Sequence, residues 1–383
     1  MRIAITINTS WNIYNFRKGL IQFLIKNGHK VYTIAPRDEY SQELIDLGCD
    51  YIPIALENKG TNPVKDTGYL LALYKIYKQV RPDVVLHYTI KPNIYGTLAA
   101  RLLSIPVINN VSGLGTTFIR KNITARIARS LYRVAFRYPQ KVFFQNRQDR
   151  DLFLQKHLIN EEITDLLPGS GICLNTFSFK PIIQSKRFTF LLIARLIYDK
   201  GILEYIKAIR LLRAEGIQAQ FQLIGQIDSI AKKGVNITIE QVKAWQQEGL
   251  IQYLGTTKQI QPFIEAADCV VLPSYREGTP RSLLEAASIG RPLVATNVAG
   301  CIEVVEDGVN GLLCEAKDAG DLASKMKAIY LMSTEGRLAM GKRGRKKMEA
   351  HFDEKIVINA YAEAIYQITR KSVTAYALPN ISP

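Results

Sequence analysis

Residues 268–290 read DCVVLPSYREGTPRSLLEAASIG, and the fold turns on this stretch. Cys269–Leu272 is a short apolar, β-branched run that suits a strand buried on both faces. Pro273–Gly278 breaks it with turn-forming residues. The pattern then predicts Thr279 as N-cap, Pro280 at the first helical position, and a helix over Ser282–Ile289 ending at Gly290. Glu277 falls in the strand-to-helix loop and Glu285 about a turn and a half into the helix. A helix N-terminus offers free backbone N–H groups and about half a positive charge, which suits phosphate. Carboxylates beside it suit hydroxyl groups, from which they accept hydrogen bonds. A ligand with phosphates at one end and sugar hydroxyls at the other meets both demands.

The same alternation extends in both directions. Downstream of residue 181 the sequence predicts a strand at Phe188–Ala194, a helix opened by Lys200–Gly201 and running to Gly216, and strands at Gln220–Ile224 and Ile251–Leu254, ending at Gly225 and Gly255. Strands at Leu293–Thr296 and Gly311–Leu313 follow, then helices at Asp318–Met332, Thr334–Phe352 and Glu354–Arg370. Upstream, strands are expected at Arg2–Asn8, Lys30–Ala35, Asp50–Ile54, Asp83–His87, Pro106–Val111, Lys141–Gln145 and Ile163–Leu167. Helices are expected at Phe16–Asn27, Gly68–Gln79 and Tyr95–Leu103, with Asn8–Asn15 as a polar link. Short apolar strands alternating with helices argue for an α/β protein with parallel, doubly wound sheets, whose ligands bind at the carboxyl ends of strands. Asn8–Asn15, His87–Lys91 and Ser112–Thr116 fall at such ends. No G-x-G-x-x-G follows the first strand. The Gly/Pro-rich link 168–181 divides the chain into domains 1–172 and 173–355, with 356–383 as a C-terminal helix and tail open to packing back on the first domain.

A chain of 383 residues has room for two domains, each with its own core. With 47% hydrophobic and 22% charged residues it reads as globular rather than disordered. No apolar run reaches the roughly 18–20 residues of a membrane helix. The start, MRIAITINTS, reads as a strand rather than a signal peptide. Cys49, Cys173, Cys269, Cys301 and Cys314 are scattered, with no CxxC, and suit reduced cytosolic thiols.

The net charge is +16, and 24 basic against 13 acidic residues lie in residues 1–180. Such a field implies an anionic partner. Nine basic residues and one acid, Asp149, lie between Arg120 and Arg150. On a helix, Ile123, Ile127, Leu131, Val134 and Tyr138 share one face, expected to pack on the sheet. Arg126, Arg129, Arg133 and Arg137 form a second stripe beside Tyr132 and Phe136. That stripe fits docking on an anionic membrane surface, at about 1 kcal/mol per basic residue. No nucleic-acid motif accompanies it, so nucleic acid is not the expected partner. Asp149-Arg150-Asp151 has the form of a metal-binding Asp-x-Asp, but it opens a helix and reads as helix-capping acids.

The frame REG-x-P-x-S-x-LEA, holding Glu277 and Glu285, resembles the retaining glycosyltransferases of family 4. The resemblance continues through ARLIYDKG (194–201), SGLGT (112–116), HYTIKPNIYG (87–96) and AGCIEVVEDGVNGLL (299–313), nearly the whole chain. It implies the GT-B architecture, two Rossmann-like domains facing an interdomain cleft. It implies that Arg195 and Lys200 bind the donor diphosphate, offsetting the charge that grows as the nucleotide diphosphate leaves. By the same resemblance Glu285 accepts the ribose hydroxyls, Glu277 the 3- and 4-hydroxyls of the donor sugar, and Gly278, Thr279 and Pro280 approach the phosphates and sugar. Gly225, Tyr253 and Leu254 would border the base. On the acceptor side it offers His87 as a polar residue near the reacting centre, and Arg17, Lys91, Gly113 and Gly115 as acceptor-binding groups.

The implied reaction moves a hexose or N-acetylhexosamine from a UDP-sugar to a polyprenyl-diphosphate-linked sugar, with retention and without a metal or cofactor. The chain is similar to bacterial enzymes of surface-glycan assembly, including undecaprenyl-diphosphate-linked N-acetylgalactosaminyltransferases. The place implied is cytoplasmic, peripheral to the inner face of the cell membrane. A UDP-sugar epimerase of the same architecture and a non-catalytic basic module remain the alternatives.

Overall fold

The computed structural model describes residues 1–57, 62–114, 123–182, 187–227 and 235–370. The chain divides into two compact units, one of Met1–Ser170 and the segment from Glu354, the other of Gly171–Asp353. The division falls within the predicted link, two residues before its predicted position.

The first unit holds a parallel sheet of β1 (Arg2–Thr6), β2 (Lys30–Ala35), β3 (Asp50–Pro53), β4 (Val84–Tyr88), β5 (Val107–Val111), β6 (Lys141–Phe144) and β7 (Thr164–Leu166). Their order is β3-β2-β1-β4-β5-β6-β7, with Ile5 registered against Thr33 on one side and Leu86 on the other. β4 and β5 are buried along their whole length, as central parallel strands must be. The helices are α1 (Ser10–Lys26), α2 (Ser41–Asp46), α3 (Pro63–Val80), α4 (Thr97–Arg101), α5 (Ile123–Ala135) and α6 (Arg147–Gln155). A turn of π-helix, Pro92–Gly96, precedes α4.

Three expectations change here. The polar link Asn8–Asn15 is mostly helix: Thr9 takes an extended backbone and its hydroxyl accepts the Asn12 N–H at 3.1 Å, so α1 starts at Ser10. Arg17 therefore lies inside α1 rather than at its opening. Among the described side chains of α5 the buried ones are Tyr132, Ala135 and, just past it, Phe136, which pack with Phe153 and Phe144. Ile127 and Val134, expected against the sheet, are 43% and 48% exposed. The aromatic rings bury more apolar area per residue, and they win the core.

The second unit repeats the plan with β8 (Thr189–Ile193), β9 (Gln220–Ile224), β10 (Gln252–Tyr253), β11 (Cys269–Leu272), β12 (Leu293–Thr296) and β13 (Gly311–Cys314), in the order β10-β9-β8-β11-β12-β13. Its helices are α7 (Ile202–Ala214), α8 (Ile239–Gln247), α9 (Gln261–Ala266), α10 (Arg281–Ile289), α11 (Cys301–Val304), α12 (Ala319–Leu331) and α13 (Thr334–His351). Sequence patterning gave no reading for α8, α9 and α11. α10 begins one residue later than predicted: Pro280 itself is the cap, with φ −72° and ψ 114°, and its carbonyl accepts from Leu283 and Leu284. Gly290 closes α10 at φ 90°.

α14 (Glu354–Thr369) belongs to the first unit, where Val357, Ile358, Tyr361 and Ile365 join the core formed by α1 and the central strands. The cysteines of the described residues carry no disulfide, and all but Cys173 are buried.

Candidate functional site

In the second sheet β8 pairs with both β9 and β11, so the connections leave its edge in opposite directions. A doubly wound sheet takes its ligand at the carboxyl ends of such a strand pair. After β8 a single turn of 3-10 helix, Tyr198–Lys200, leads to Gly201 and α7. Gly201 has φ 69°, and a Cβ there would lie 2.0 Å from the Pro273 carbonyl oxygen, so glycine is required where this turn crosses the end of β11. The Asp199 carbonyl accepts the Tyr275 N–H at 2.9 Å and fixes the two loops together.

That approach brings Lys200 Nζ onto Glu277 Oε1 in a direct ion pair, with the two side chains 18% and 12% exposed. The loop of Glu277 is held from the other side by its N–H to the Ala299 carbonyl and by Gly300, φ 80°, where a Cβ would lie 1.9 Å from the Gly278 carbonyl oxygen. One turn into α10, Arg281 Nε donates to Glu285 Oε1 at 2.9 Å. Burial raises the Glu285 carboxyl above its ordinary value, against the opposing pull of Arg281. Gly225, at the end of β9, passes so near β8 that a Cβ would lie 1.7 Å from the Ala194 carbonyl oxygen; its own carbonyl accepts from Tyr253 Oη at 2.8 Å. Arg195 is exposed just after β8. Lys200, Glu277 and the Gly278–Pro280 backbone thus come together at the strand ends, with the Arg281–Glu285 pair on the helix that follows. Gly225 and Tyr253 join at the neighbouring strands.

In the first unit the predicted residues separate. His87 is fully buried. Its Nε2 lies 2.8 Å from Tyr77 Oη and its Nδ1 3.0 Å from Asn109 Oδ1, and burial pushes its pKa down to about 4. Both ring nitrogens are engaged inside the core, which corrects the reading of His87 as a group at the reacting centre. A Cβ on Gly96 would meet the His87 ring at 2.5 Å, so the imidazole is packed against the π-helical turn. Lys91 is also anchored: its Nζ pairs with Asp66 at 2.6 Å, and Tyr95 Oη donates to the other Asp66 oxygen at 3.0 Å. Arg17 is 4% exposed, with its guanidinium 4.1 Å from the centroid of the Tyr88 ring. Gly113 has φ 122°; Gly115 lies outside the described residues.

Residues 175–347 match the family model of the glycosyl transferases group 1, and residues 2–146 match that of the glycosyl transferase 4-like family. The chain is a GT-B glycosyltransferase.

The two family matches fall on the two units. An N,N'-diacetylbacillosaminyl-diphospho-undecaprenol alpha-1,3-N-acetylgalactosaminyltransferase of Campylobacter jejuni is 28% identical over 97% of this glycosyltransferase and 100% of its own length. An Escherichia coli UDP-Gal:alpha-D-GlcNAc-diphosphoundecaprenol alpha-1,3-galactosyltransferase is 24% identical over 67% of this chain and 68% of its own. Among solved structures, the Anabaena protein HepE in complex with UDP and glucose superposes with a TM-score of 0.78 at 19% identity, covering 96% of this chain and 100% of that one. A glycosyltransferase of Rickettsia africae gives 0.77 at 17% identity, over 97% and 99% of the two chains. The epimerase and basic-module alternatives give way to the transferase reading.

Within the glycosyltransferase, several residues that support the site had no role assigned from sequence. Arg281 stood in the decisive frame, but its pairing with Glu285 needed the helix phase. Gly300 stood in the AGC motif, and only the folded loop shows its contact with Gly278. Burial, and after it Glu204, raises the Tyr275 phenol, and Lys317 lies 5.0 Å from the centre of its ring. Asp149 closes the α6 cap, accepting from Asn146 Nδ2 at 3.2 Å while its N–H donates to Asn146 Oδ1 at 2.8 Å. On α5 Arg126 and Arg133 are exposed and Arg129 is half-buried, and Arg137, in the turn just past the helix, is exposed. No helix among the described residues is long and apolar enough to cross a membrane.

Proposed function

We propose that this glycosyltransferase moves a hexose or N-acetylhexosamine, with retention, from a UDP-sugar to a sugar carried on a polyprenyl diphosphate. The observation that carries the reading is the Lys200–Glu277 pair at the β8/β11 switch point. It sets a phosphate-binding cation and a hydroxyl-binding carboxylate side by side, matching the joined phosphate and sugar of a nucleotide sugar. Glu285 on α10 takes the ribose hydroxyls, and Arg281 holds its carboxylate in position. The activities named for the Campylobacter and Escherichia coli relatives support the lipid-linked acceptor, and the second of them the UDP donor.

In the reaction the acceptor oxygen bonds to the anomeric carbon as the bond from that carbon to the UDP oxygen breaks. The acceptor proton passes to the departing phosphate on the same face of the sugar. Arg195 and Lys200 offset the charge that grows on the diphosphate, so the step is expected to run undiminished in EDTA.

The membrane carrying the acceptor is met by α5. Ile127 and Val134 are exposed on one flank, with Arg126 and Arg133 on the adjacent one and Arg137 exposed just past the helix. An apolar edge beside a row of cations is the composition of a helix that lies in an anionic lipid interface. On this proposal the reaction runs at the cytoplasmic face of that membrane.

The test is thermal stability with UDP, GDP, ADP and their sugars. A ligand at 100 times its dissociation constant adds about 2.7 kcal/mol. A UDP-selective shift, lost in Glu285→Ala and Lys200→Ala, is the expected result; no response to any nucleotide would overturn the donor assignment. For the surface, sedimentation with phosphatidylglycerol vesicles should fall with salt and in Arg133→Glu and Ile127→Ser. Failure to bind at low salt removes the docking role.

A further inference from the structure

Arg17 is buried mid-helix in α1 with no anion to answer its charge. Its Nη1 donates to the Phe16 carbonyl at 2.9 Å, while its Nε has no hydrogen-bond partner. Among the described residues it forms no ion pair. A guanidinium cannot shed its proton in a protein, so burying it unpaired is unfavourable, and stacking on Tyr88 offsets only part of the loss. A bound anion would supply the remainder.

The surroundings suit such a ligand. Tyr88 ends β4, and β4 pairs with β1 at the switch point of the first sheet, where doubly wound sheets take ligands. The Tyr361 ring of α14 lies 6.0 Å from that of Tyr88, and its hydroxyl accepts from Asn110 Nδ2 at 3.0 Å. Asn110 Oδ1 in turn accepts from Ser112 Oγ at 2.9 Å. Side chains from α1, β4, β5 and α14 therefore converge on one polar cluster, and none of those named is acidic.

We infer that Arg17 is the binding cation of a phosphoryl-recognition site at the β1/β4 switch point, with Tyr361 as a positioning residue that holds Tyr88 beneath the guanidinium. The ligand is a diphosphate. The inference rests on the proposed function to the extent that both substrates named there carry one: the nucleotide donor and the lipid-linked acceptor. Arginine suits this task because Nε and an Nη present two parallel donors to two phosphoryl oxygens.

The test is calorimetric titration of the full chain with two probes: UDP alone, and geranyl diphosphate with UDP at saturation. The variants are Arg17→Gln, Arg17→Lys and Tyr361→Phe, each checked for a wild-type melting transition. A fall of about tenfold or more in Arg17→Gln, from loss of a charge-assisted hydrogen bond, is expected for one of the probes. Tyr361→Phe should show a smaller fall, with acceptor or donor KM raised and kcat kept. Loss confined to geranyl diphosphate assigns the acceptor, and loss confined to UDP assigns the donor. If Arg17→Gln does not fold, Arg17→Lys and Tyr361→Phe decide by the same readings. Unchanged affinity for both probes in the folded variants overturns the inference, as does a wild-type chain that binds no geranyl diphosphate and an Arg17-independent UDP affinity. Failure of the donor reading looks different: the wild type then gives no response to UDP at all.

Discussion

Replacing Lys200 by Met removes the ammonium and keeps most of the stem. Glu277 is left with a carboxylate 12% exposed and no counter-charge. Removing one partner of a fully buried pair costs about 3–5 kcal/mol. Water still reaches both groups here, so the expected loss is about 2 kcal/mol. At about 2–4 °C per kcal/mol for a unit of this size, the melting point of the second unit falls by ~4–8 °C. Glu277→Gln alone leaves a lysine that can swing toward solvent, and it loses about 1 kcal/mol. The double variant buries neither charge and should recover most of the stability, a coupling of about 2–3 kcal/mol. Ligand binding should not recover with it. A charge-assisted bond from Lys200 to the donor diphosphate contributes about 2 kcal/mol, so UDP binds roughly 30-fold more weakly in both the single and the double variant. Trp245, buried in the second unit, reports the melt, and calorimetry reports UDP. If the double variant regained UDP affinity along with stability, Lys200 would be a structural partner of Glu277 and the reasoning would be refuted.

Three more outcomes follow from the geometry. Burial raises the Glu285 carboxyl, so the folded chain holds this proton more tightly than the unfolded one; that stability is full at acid pH and lost as pH rises through the folded value. Glu285→Gln should therefore melt above the wild type near neutral pH, with the gap closing toward about pH 4, while UDP affinity drops about tenfold. Burial lowers His87 from 6.5 to about 4, so its contribution is full above 6.5 and lost as pH falls toward 4. Urea melts of His87→Gln should show a weaker acid dependence over that range, and kcat near neutral pH should stay close to wild type; a collapse of kcat in the folded variant would return His87 to the reaction. Gly300→Ala drives a Cβ into the Gly278 carbonyl and should abolish the UDP-induced rise in melting temperature, measured by the same scan; an unchanged rise would show that the Glu277 loop is not set by this contact.

Periodicity and punctuation made the two parallel sheets legible in the sequence. β11 matches its predicted span, and Gly290 closes α10 where a left-handed residue was required. Short or irregular elements were not legible: α8, α9 and α11 have too few turns for a 3.6-residue period to stand out. α5 misled for another reason. Periodicity shows that a helix has an apolar arc, but packing decides which part of that arc is covered, and the Tyr132–Phe136–Phe153 cluster took the place expected for Ile127 and Val134.

The sequence by itself determined the two-unit α/β plan and the location of Glu277, Arg195 and Lys200 after strand ends and of Glu285 in the helix that follows, because hydrophobic alternation and turn residues act over a few positions along the chain. Tertiary structure decided which of these groups touch. Lys200 and Glu277 are 77 residues apart and meet only because β8 and β11 are neighbours in the sheet. Asn110 and Tyr361, 251 residues apart, meet only because α14 packs on the first unit. Burial was decided there too, turning His87 into a core residue and leaving Arg17 an unanswered charge, since the surroundings of a side chain are made by elements distant in sequence.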